Sequence, residues 1–116
     1  MNQLNNLAKQ AYNSACKRGI FDKELSINDL LMAIVEEVGE VRKSKVLRLP
    51  NNFIECINDE KVNLPFRKQF ESYIKDSTQA EFADILIATL AIMHHLKIDV
   101  DLFVELGLRY NSLRSK

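Results

Sequence analysis

Two groups of acidic residues are the part of this sequence that could carry chemistry. Glu36, Glu37 and Glu40 lie close together, and Glu81 and Asp84 form a second group with a three-residue spacing. Residues three apart share one face of a helix, so each group can present two carboxylates together. Carboxylates gathered at one place repel each other, and a divalent cation offsets both this repulsion and the cost of burial. All-oxygen ligation favours Mg²⁺, Mn²⁺ or Ca²⁺ over zinc, and Mg²⁺ commonly takes phosphate oxygens as further ligands.

The same residues also allow a plainer interpretation. Glutamates on a helix are often a solvated face, and Thr78 with Glu81 fits the pattern of a capping box. Helical periodicity places Glu37 and Glu40 at the edge of an apolar stripe, with Glu36 further toward solvent. The second pair is more unusual, because its residues are the only acidic ones in an otherwise apolar helix. A metal site and a set of surface charges therefore both remain open at this point.

Four long helices and one short helix are expected to position these carboxylates. Apolar spacing and capping signals predict helices over 2–18, 27–47 and 79–96, a short helix around 66–74, and a last helix after Asp99. Gly19 is expected to end the first helix, and Ser26 with Asp29 to open the second through a capping box. The stretch 50–65 contains both prolines and is predicted to be a loop. The predicted fold is all-α and resembles a four-helix bundle, in one domain over 1–116.

The helix over 79–96 carries an almost purely apolar run from Ile85 to Met93. A helix that is apolar all round needs burial on all sides, which four helices of this length can hardly supply. We therefore expect its spare face to lie in a subunit interface, in a homodimer or in a homotetramer built as a dimer of dimers.

Charge and composition exclude several classes of partner. The 116 residues contain 16 Lys and Arg against 16 Asp and Glu, so the basic footprint of a nucleic-acid binder is absent and no nucleic-acid polymer is expected as a partner. No apolar stretch is long enough to span a bilayer, so no membrane partner is expected either. The polar N-terminus lacks the apolar region of a signal peptide, and Cys16 and Cys56 read as reduced thiols. A cytoplasmic location is the expectation.

The two acidic motifs in sequence order resemble a family signature. Glu36-Glu37-x-x-Glu40 followed by Glu81-x-x-Asp84 is similar to the signature of the MazG-like all-α nucleoside triphosphate pyrophosphohydrolases. That superfamily also includes dimeric dUTPases, dCTP pyrophosphatases and phosphoribosyl-ATP pyrophosphohydrolase. The sequence from Glu81 to Leu86 and the closing Tyr110-Asn111-x-x-Arg114 look like the same family. The resemblance spans roughly 4–114 and implies a MazG-like fold with one extra short helix.

The resemblance implies a reaction and a set of ligands. The expected activity is Mg²⁺-dependent hydrolysis of a nucleoside triphosphate, with a deoxynucleoside triphosphate favoured, to the monophosphate and pyrophosphate. Mn²⁺ could replace Mg²⁺. The implied metal ligands are Glu37, Glu40, Glu81 and Asp84. Glu37 would also orient or deprotonate the attacking water.

The closing motif implies the substrate contacts. Asn111 and Arg114 would lie near the phosphates, and Arg109 and Tyr110 on the same helix are further candidates for substrate binding. The family usually carries a lysine where this chain has Gly107.

That difference leaves the phosphate contact to Arg109, to Lys75 or to a partner subunit. It also keeps open an alternative function, namely a non-catalytic helical module that binds a nucleotide or a metal for interaction or regulation. Residues 48–76 are longer than the corresponding segment of compact family members and are interpreted as an insertion. The preferred base and sugar are not fixed by the sequence.

Overall fold

The computed structural model describes residues 2–48 and 63–114, and these residues are all-α, as predicted. The helices are α1 (Gln3–Lys17), α2 (Ile27–Lys43), α3 (Asn63–Gln69), α4 (Thr78–His95) and α5 (Val100–Leu113), and α3 continues into a π-helical turn at Phe70–Ile74. The short third helix is therefore confirmed. It begins inside the stretch 50–65 that was predicted as a loop, so the loop prediction is wrong from Asn63 onward. Residues 49–62, which carry the rest of that loop and much of the predicted insertion, lie outside the described residues.

The packing of the chain divides it into two compact units. One comprises Met1–Ile34 with Leu86–Lys116, and the other comprises Val35–Ile85. The prediction of one domain over 1–116 stays a prediction. No helix in the described ranges combines the length and the apolar character needed to cross a membrane.

In the first unit, α1 packs through its small residues. The buried core consists of Ala8, Ala11, Ala15, Leu90, Ala91 and Val100. Alanines at this spacing line one face of α1 and allow a neighbouring helix to approach closely. Larger side chains such as Tyr12 and Phe21 pack around this core and are only partly buried. The buried core of this unit is therefore built mainly from small side chains.

The first turns of α1 and α5 cap each other. The Asp101 carboxylate accepts hydrogen bonds from the backbone N–H groups of Leu4 and Asn5, at 3.1 and 2.9 Å. In return the Asn5 side-chain oxygen accepts from the backbone N–H of Val100 at 2.7 Å. Free N–H groups in a first helical turn need such partners, and here each helix supplies them to the other. This exchange fixes where α5 begins against α1.

Local capping signals were read correctly at three helix ends. Gly19 adopts a φ of +77°, and the N–H groups of Gly19 and Ile20 donate to the carbonyls of Cys16 and Ala15, which is a Schellman motif. Ser26 and Asp29 exchange hydrogen bonds in a complete capping box. Asp99 caps α5 by accepting from the N–H of Leu102 at 3.2 Å.

The second helix is shorter than predicted, because it ends at Lys43 and not at residue 47. The Ser44 hydroxyl donates to the Val41 carbonyl at 2.6 Å and competes with continuation of the helix. Lys45 then forms an isolated parallel bridge with Ser77, and its carbonyl accepts from the N–H of Thr78 at 2.9 Å. Backbone groups after Lys43 thus find distant partners that periodicity along the chain could not reveal.

Candidate metal centre

The carboxylates of the candidate site come from the C-terminal half of α2 and the first turns of α4, all within the second unit. Next to the site, the two helices are held together by polar contacts. The Ser44 and Thr78 hydroxyls lie 2.8 Å apart, and the backbone N–H of Leu47 donates to the Gln79 side-chain oxygen at 2.8 Å. The Gln79 amide also donates to the Leu47 carbonyl. These contacts join the end of α2 to the start of α4, which brings Glu37 toward Glu81.

The predicted capping box at the start of α4 is wrong. Ser77 is the capping residue, because its hydroxyl accepts from the N–H of Ala80 at 3.2 Å and its carbonyl accepts from the N–H of Glu81 at 3.0 Å. The Thr78 hydroxyl is instead engaged with Ser44. Glu81 therefore lies one residue beyond the position from which a capping-box side chain reaches back. Its carboxylate is turned toward other carboxylates, which removes the plainer interpretation for this residue.

Three of the four predicted ligands converge on one point. Carboxylate oxygens of Glu37, Glu81 and Asp84 all lie within 4.8 Å of one another. Oxygens bound to Mg²⁺ at about 2.1 Å lie about 3 to 4 Å apart across its octahedron, so a modest contraction of this group would fit the ion. Glu81 is only 6% exposed, Glu37 is half-buried and Asp84 is exposed. The group therefore has a buried end at Glu81 and a solvent-facing end at Asp84.

The electrostatic environment of Glu81 is unfavourable to a bare charge. Burial raises the pKa of Glu81 above its usual range, and the neighbouring carboxylates of Asp84, Glu37, Glu40 and Asp76 raise the pKa further, in that order. Each of these influences favours the protonated form of the side chain. A cation among the carboxylates would oppose these influences, because it would attract each of the negatively charged side chains.

Glu40 and Glu36 both lie outside the converging group. Glu40 is exposed and does not belong to the three-residue group, although it is near enough to raise the pKa of Glu81. Glu36 is exposed, in agreement with its predicted position toward solvent. The structure thus supports Glu37 over its neighbours as the α2 contribution, and leaves Glu40 as an outer carboxylate of the same face.

Asp76 is a member of this acidic neighbourhood that sequence reasoning missed. It immediately precedes the capping Ser77 and adopts a φ of +69°, in the left-handed region that aspartate tolerates better than most residues. An aspartate just before a helix cap is common in turns, so the sequence carried no distinctive signal. Its carboxylate is near enough to raise the pKa of Glu81, and this effect is the smallest of the four carboxylate effects.

The residues predicted to contact substrate lie in the first unit, on or just after α5. Arg109, Tyr110, Asn111 and Arg114 are all exposed, and their roles stay predictions. At Gly107, an added Cβ would meet no atom within 4 Å. Packing around the Cβ position therefore does not require a glycine there.

Comparison of the chain with models of known families, with curated proteins and with solved structures finds no match in any of the three. The similarity to the MazG-like pyrophosphohydrolases accordingly rests on the motifs quoted above. Function has to be argued from the site itself.

Proposed function

We propose that this protein is a Mg²⁺-dependent pyrophosphohydrolase that cleaves a nucleoside triphosphate, preferably a deoxynucleoside triphosphate, to the monophosphate and pyrophosphate. One observation carries the proposal: Glu81 is buried at a point where the Glu37 and Asp84 carboxylates converge on it. Retaining a buried carboxylate among like charges costs free energy, and a bound divalent cation would offset that cost.

The donor set fits magnesium. Glu37, Glu81 and Asp84 would hold the ion, with Glu40 as a fourth carboxylate on the same side. Carboxylate oxygens suit Mg²⁺ or Mn²⁺, and a site with one exposed end leaves room for water and for phosphate oxygens as further ligands. When bound, the cation would polarise phosphoryl oxygens and neutralise the charge that develops on them during cleavage.

The protein's own residues have distinct tasks in this proposal. A water molecule attacks the α-phosphorus, the bond from that phosphorus to the bridging oxygen breaks, and pyrophosphate leaves with the bonding electrons. Glu37, the half-buried member of the converging group, would orient this water and accept its proton. Asp84 is exposed, so a charged substrate would reach the ion from this end of the group. Contacts of Asn111, Arg114, Arg109 and Tyr110 with the substrate are proposed from the closing motif.

A second candidate function is a non-catalytic module that binds a nucleotide or a metal. The observation favouring it is Gly107, where open space surrounds the position that carries a lysine in the similar family. Loss of that ammonium group would remove charge stabilisation from the transferring phosphates more than it would weaken metal binding.

We also propose that the chain works as a homo-oligomer. Several large apolar side chains of α4 are exposed: Phe82 at 58%, Leu86 at 57% and Ile87 at 46%. Exposed apolar side chains of this size are expected to be covered by a partner.

The deciding experiment is pyrophosphate release from a panel of ribonucleoside and deoxynucleoside triphosphates with Mg²⁺. Wild type would be compared with Glu81→Gln and Asp84→Asn, and with Glu36→Gln as a matched control on the exposed side of α2. We expect activity in wild type and in the control, and a large loss in both site variants. Wild type that binds Mg²⁺ but releases no pyrophosphate from any nucleotide would support the binding module instead.

A further inference from the structure

The first unit contains a cavity of about 570 Å³. It is lined by the N-terminal part of α1, by the end of α4 and by the turn over residues 97–99 that leads into α5. None of its described lining residues belongs to the candidate metal centre. Cavities of this volume are typical of sites at which proteins bind small molecules. The chemistry of the lining residues therefore indicates which class of molecule the cavity fits.

Aromatic rings form one wall of the cavity. Tyr12, His94 and His95 line it, and the ring centroid of Tyr12 lies 4.9 Å from that of His94 and 6.0 Å from that of His95. Phe21 joins the same cluster, with its ring centroid 5.0 Å from that of Tyr12 and 4.5 Å from that of His95. All four residues are half-buried, and each ring is held in place by its neighbours. Such a wall offers a fixed aromatic surface on which a planar ring can stack.

Positive charge exceeds negative charge among the lining residues. Lys9 and Lys97 are exposed, and within the described ranges neither takes part in an ion pair. Asp99 is the one acidic residue among the described lining residues. Its carboxylate already accepts hydrogen bonds from the Asn5 side chain at 2.8 Å and from the N–H of Leu102 at 3.2 Å. The two ammonium groups are thus available to an anion.

Lys97 occupies a backbone position that usually belongs to glycine. It follows α4 with a φ of +60°, and the N–H groups of Lys97 and Ile98 donate to the carbonyls of His94 and Met93 at 3.0 and 2.9 Å. The first helix ends in the same Schellman motif, and there the left-handed residue is Gly19. A residue with a Cβ is strained in this region, so Lys97 makes the turn less favourable than glycine would. Strain at a residue that lines a cavity points to a role in binding.

The lining segments are held together by hydrogen bonds that need no ligand. The Asn5 side chain accepts from the N–H of Val100 at 2.7 Å and donates to the Asp99 carboxylate. Asp101 accepts from the backbone N–H groups of Leu4 and Asn5. These bonds join α1 to the start of α5, so the cavity is formed in advance and little ordering free energy is lost on binding.

We propose that this cavity binds a small planar aromatic molecule that carries a carboxylate or a phosphate group. The ring stacks against Tyr12 and His94, and the anionic group pairs with Lys9 and Lys97. Pairing of an ammonium group with either anion gives a charge-assisted hydrogen bond, which is stronger than a neutral one. The inference goes beyond the proposed function and does not depend on it, because binding in this cavity needs neither the metal nor a triphosphate.

The test is isothermal titration calorimetry of the full chain in EDTA, with naphthoate and naphthyl phosphate as probes. Both should bind with dissociation constants below about 1 mM, and replacing EDTA with Mg²⁺ should leave the affinity for naphthoate unchanged. Naphthyl methanol lacks the charge and cyclohexane carboxylate lacks the aromatic ring, so each should bind about tenfold more weakly than naphthoate. The comparison of naphthoate with naphthyl phosphate shows which anionic group the cavity prefers.

Lys97→Gly is the most informative variant. It removes an ammonium group and relieves the left-handed strain, so we expect the affinity for naphthoate to fall about tenfold while the melting temperature is unchanged or raised. Lys9→Gln should weaken binding to a similar extent. Lys17→Gln, at an exposed lysine of α1 that does not line the cavity, is the matched control and should bind naphthoate as wild type does.

Nuclear magnetic resonance can locate the probe, because the chain has two histidines and both line the cavity. Addition of naphthoate should shift the imidazole signals of His94 and His95. The proposal would be overturned if neither probe binds, if naphthyl methanol binds as tightly as naphthoate, or if Lys97→Gly keeps the wild-type affinity. Binding that leaves the imidazole signals unchanged, or that requires Mg²⁺, would also overturn it.

Discussion

The first turns of α2 and α4 both carry an acidic residue, and the two residues have opposite environments. At α2, Asp29 is exposed and exchanges hydrogen bonds with Ser26, and these bonds hold the pKa of Asp29 below its usual range. At α4, Ser77 supplies the cap, and burial together with neighbouring carboxylates raises the pKa of Glu81. Hydrogen bonds within its own helix terminus stabilise the charge of Asp29. Burial and nearby negative charges destabilise the charge of Glu81.

The difference separates a structural carboxylate from a candidate ligand. Asp29 exchanges hydrogen bonds with Ser26 at the start of its own helix and thereby stabilises the folded protein. The raised pKa of Glu81 means that its ionised form is disfavoured in the metal-free protein, and a cation among the carboxylates would favour that form. Residues that oppose folding in the absence of a ligand are the ones expected to bind it.

The largest expected effect is on catalysis. Glu81→Gln keeps the shape of the side chain and removes its charge, so we expect Mg²⁺-dependent pyrophosphate release to fall by about a hundredfold or more. Asp29→Asn, the corresponding change at α2, should leave the rate unchanged. Pyrophosphate release at saturating Mg²⁺ measures both. A Glu81→Gln variant that keeps most of the activity would contradict the proposal that Glu81 is a metal ligand and Asp29 a structural residue.

Metal binding should depend on pH in the direction set by Glu81. Protons and Mg²⁺ compete for its carboxylate, and the raised pKa brings this competition closer to neutral pH than for an ordinary glutamate. We therefore expect the Mg²⁺ affinity measured by isothermal titration calorimetry to fall as the pH is lowered from neutral to about 5. Asp29→Asn should show the same pH dependence as wild type. An affinity that is constant over this range would argue against Glu81 as a ligand.

The stability of the metal-free protein should respond to the two carboxylates with opposite sign. Glu81 has a raised pKa in the folded state, so its favourable contribution is present at low pH and is lost as the pH rises through that pKa. Asp29 has a lowered pKa, so its contribution is present above the unfolded pKa and is lost as the pH falls through the folded one.

In EDTA near neutral pH, Glu81→Gln should therefore raise the free energy of unfolding and Asp29→Asn should lower it. The difference for Glu81→Gln should shrink at about pH 4, where the folded-state charge of Glu81 is being removed, whereas the difference for Asp29→Asn should largely persist there, because the lowered pKa keeps Asp29 charged in the folded state. Urea unfolding at the two pH values measures this. A Glu81→Gln variant that is less stable than wild type at neutral pH would contradict the assigned environment.

The smallest effects are expected from the capping serines. Ser26→Ala and Ser77→Ala each remove a side-chain acceptor from a first helical turn, and each should cost about 1 kcal/mol in the free energy of unfolding. Ser26→Ala should leave Mg²⁺ affinity unchanged. Ser77→Ala should weaken Mg²⁺ binding by less than about tenfold, because the backbone contact from its carbonyl to the N–H of Glu81 survives. Equal and large losses of Mg²⁺ binding in both variants would show that the two termini are not independent.

Much of the fold could be predicted from local sequence signals. The Schellman glycine at residue 19, the capping box at Ser26 and Asp29, and the cap at Asp99 depend on contacts a few residues apart, and all were read correctly. Errors occurred where a distant partner competes with the local pattern. Lys45 pairs with Ser77, which shortens α2, and the same region moves the cap of α4 from Thr78 to Ser77.

The candidate site was predicted in its residue types and only in part in its geometry. Periodicity identified Glu37, Glu81 and Asp84 as candidates that share helix faces. It could not separate Glu40 from them or find Asp76, because both depend on how far each carboxylate lies from Glu81. Distances between helices are set by packing and by contacts such as that between Ser44 and Thr78, which no spacing along the chain encodes.

By itself, the sequence determined that the described chain is helical, where most of its helices begin and end, and which carboxylates could act together. These properties follow from the 3.6-residue period and from capping, whose interactions span a single turn. Only the tertiary structure decided that Glu81 is buried, that Glu37 and Asp84 converge on it, and that the large apolar side chains of α5 from Leu102 onward are exposed. Burial and pKa depend on every group that packs around a side chain, and residues distant in sequence supply most of those groups.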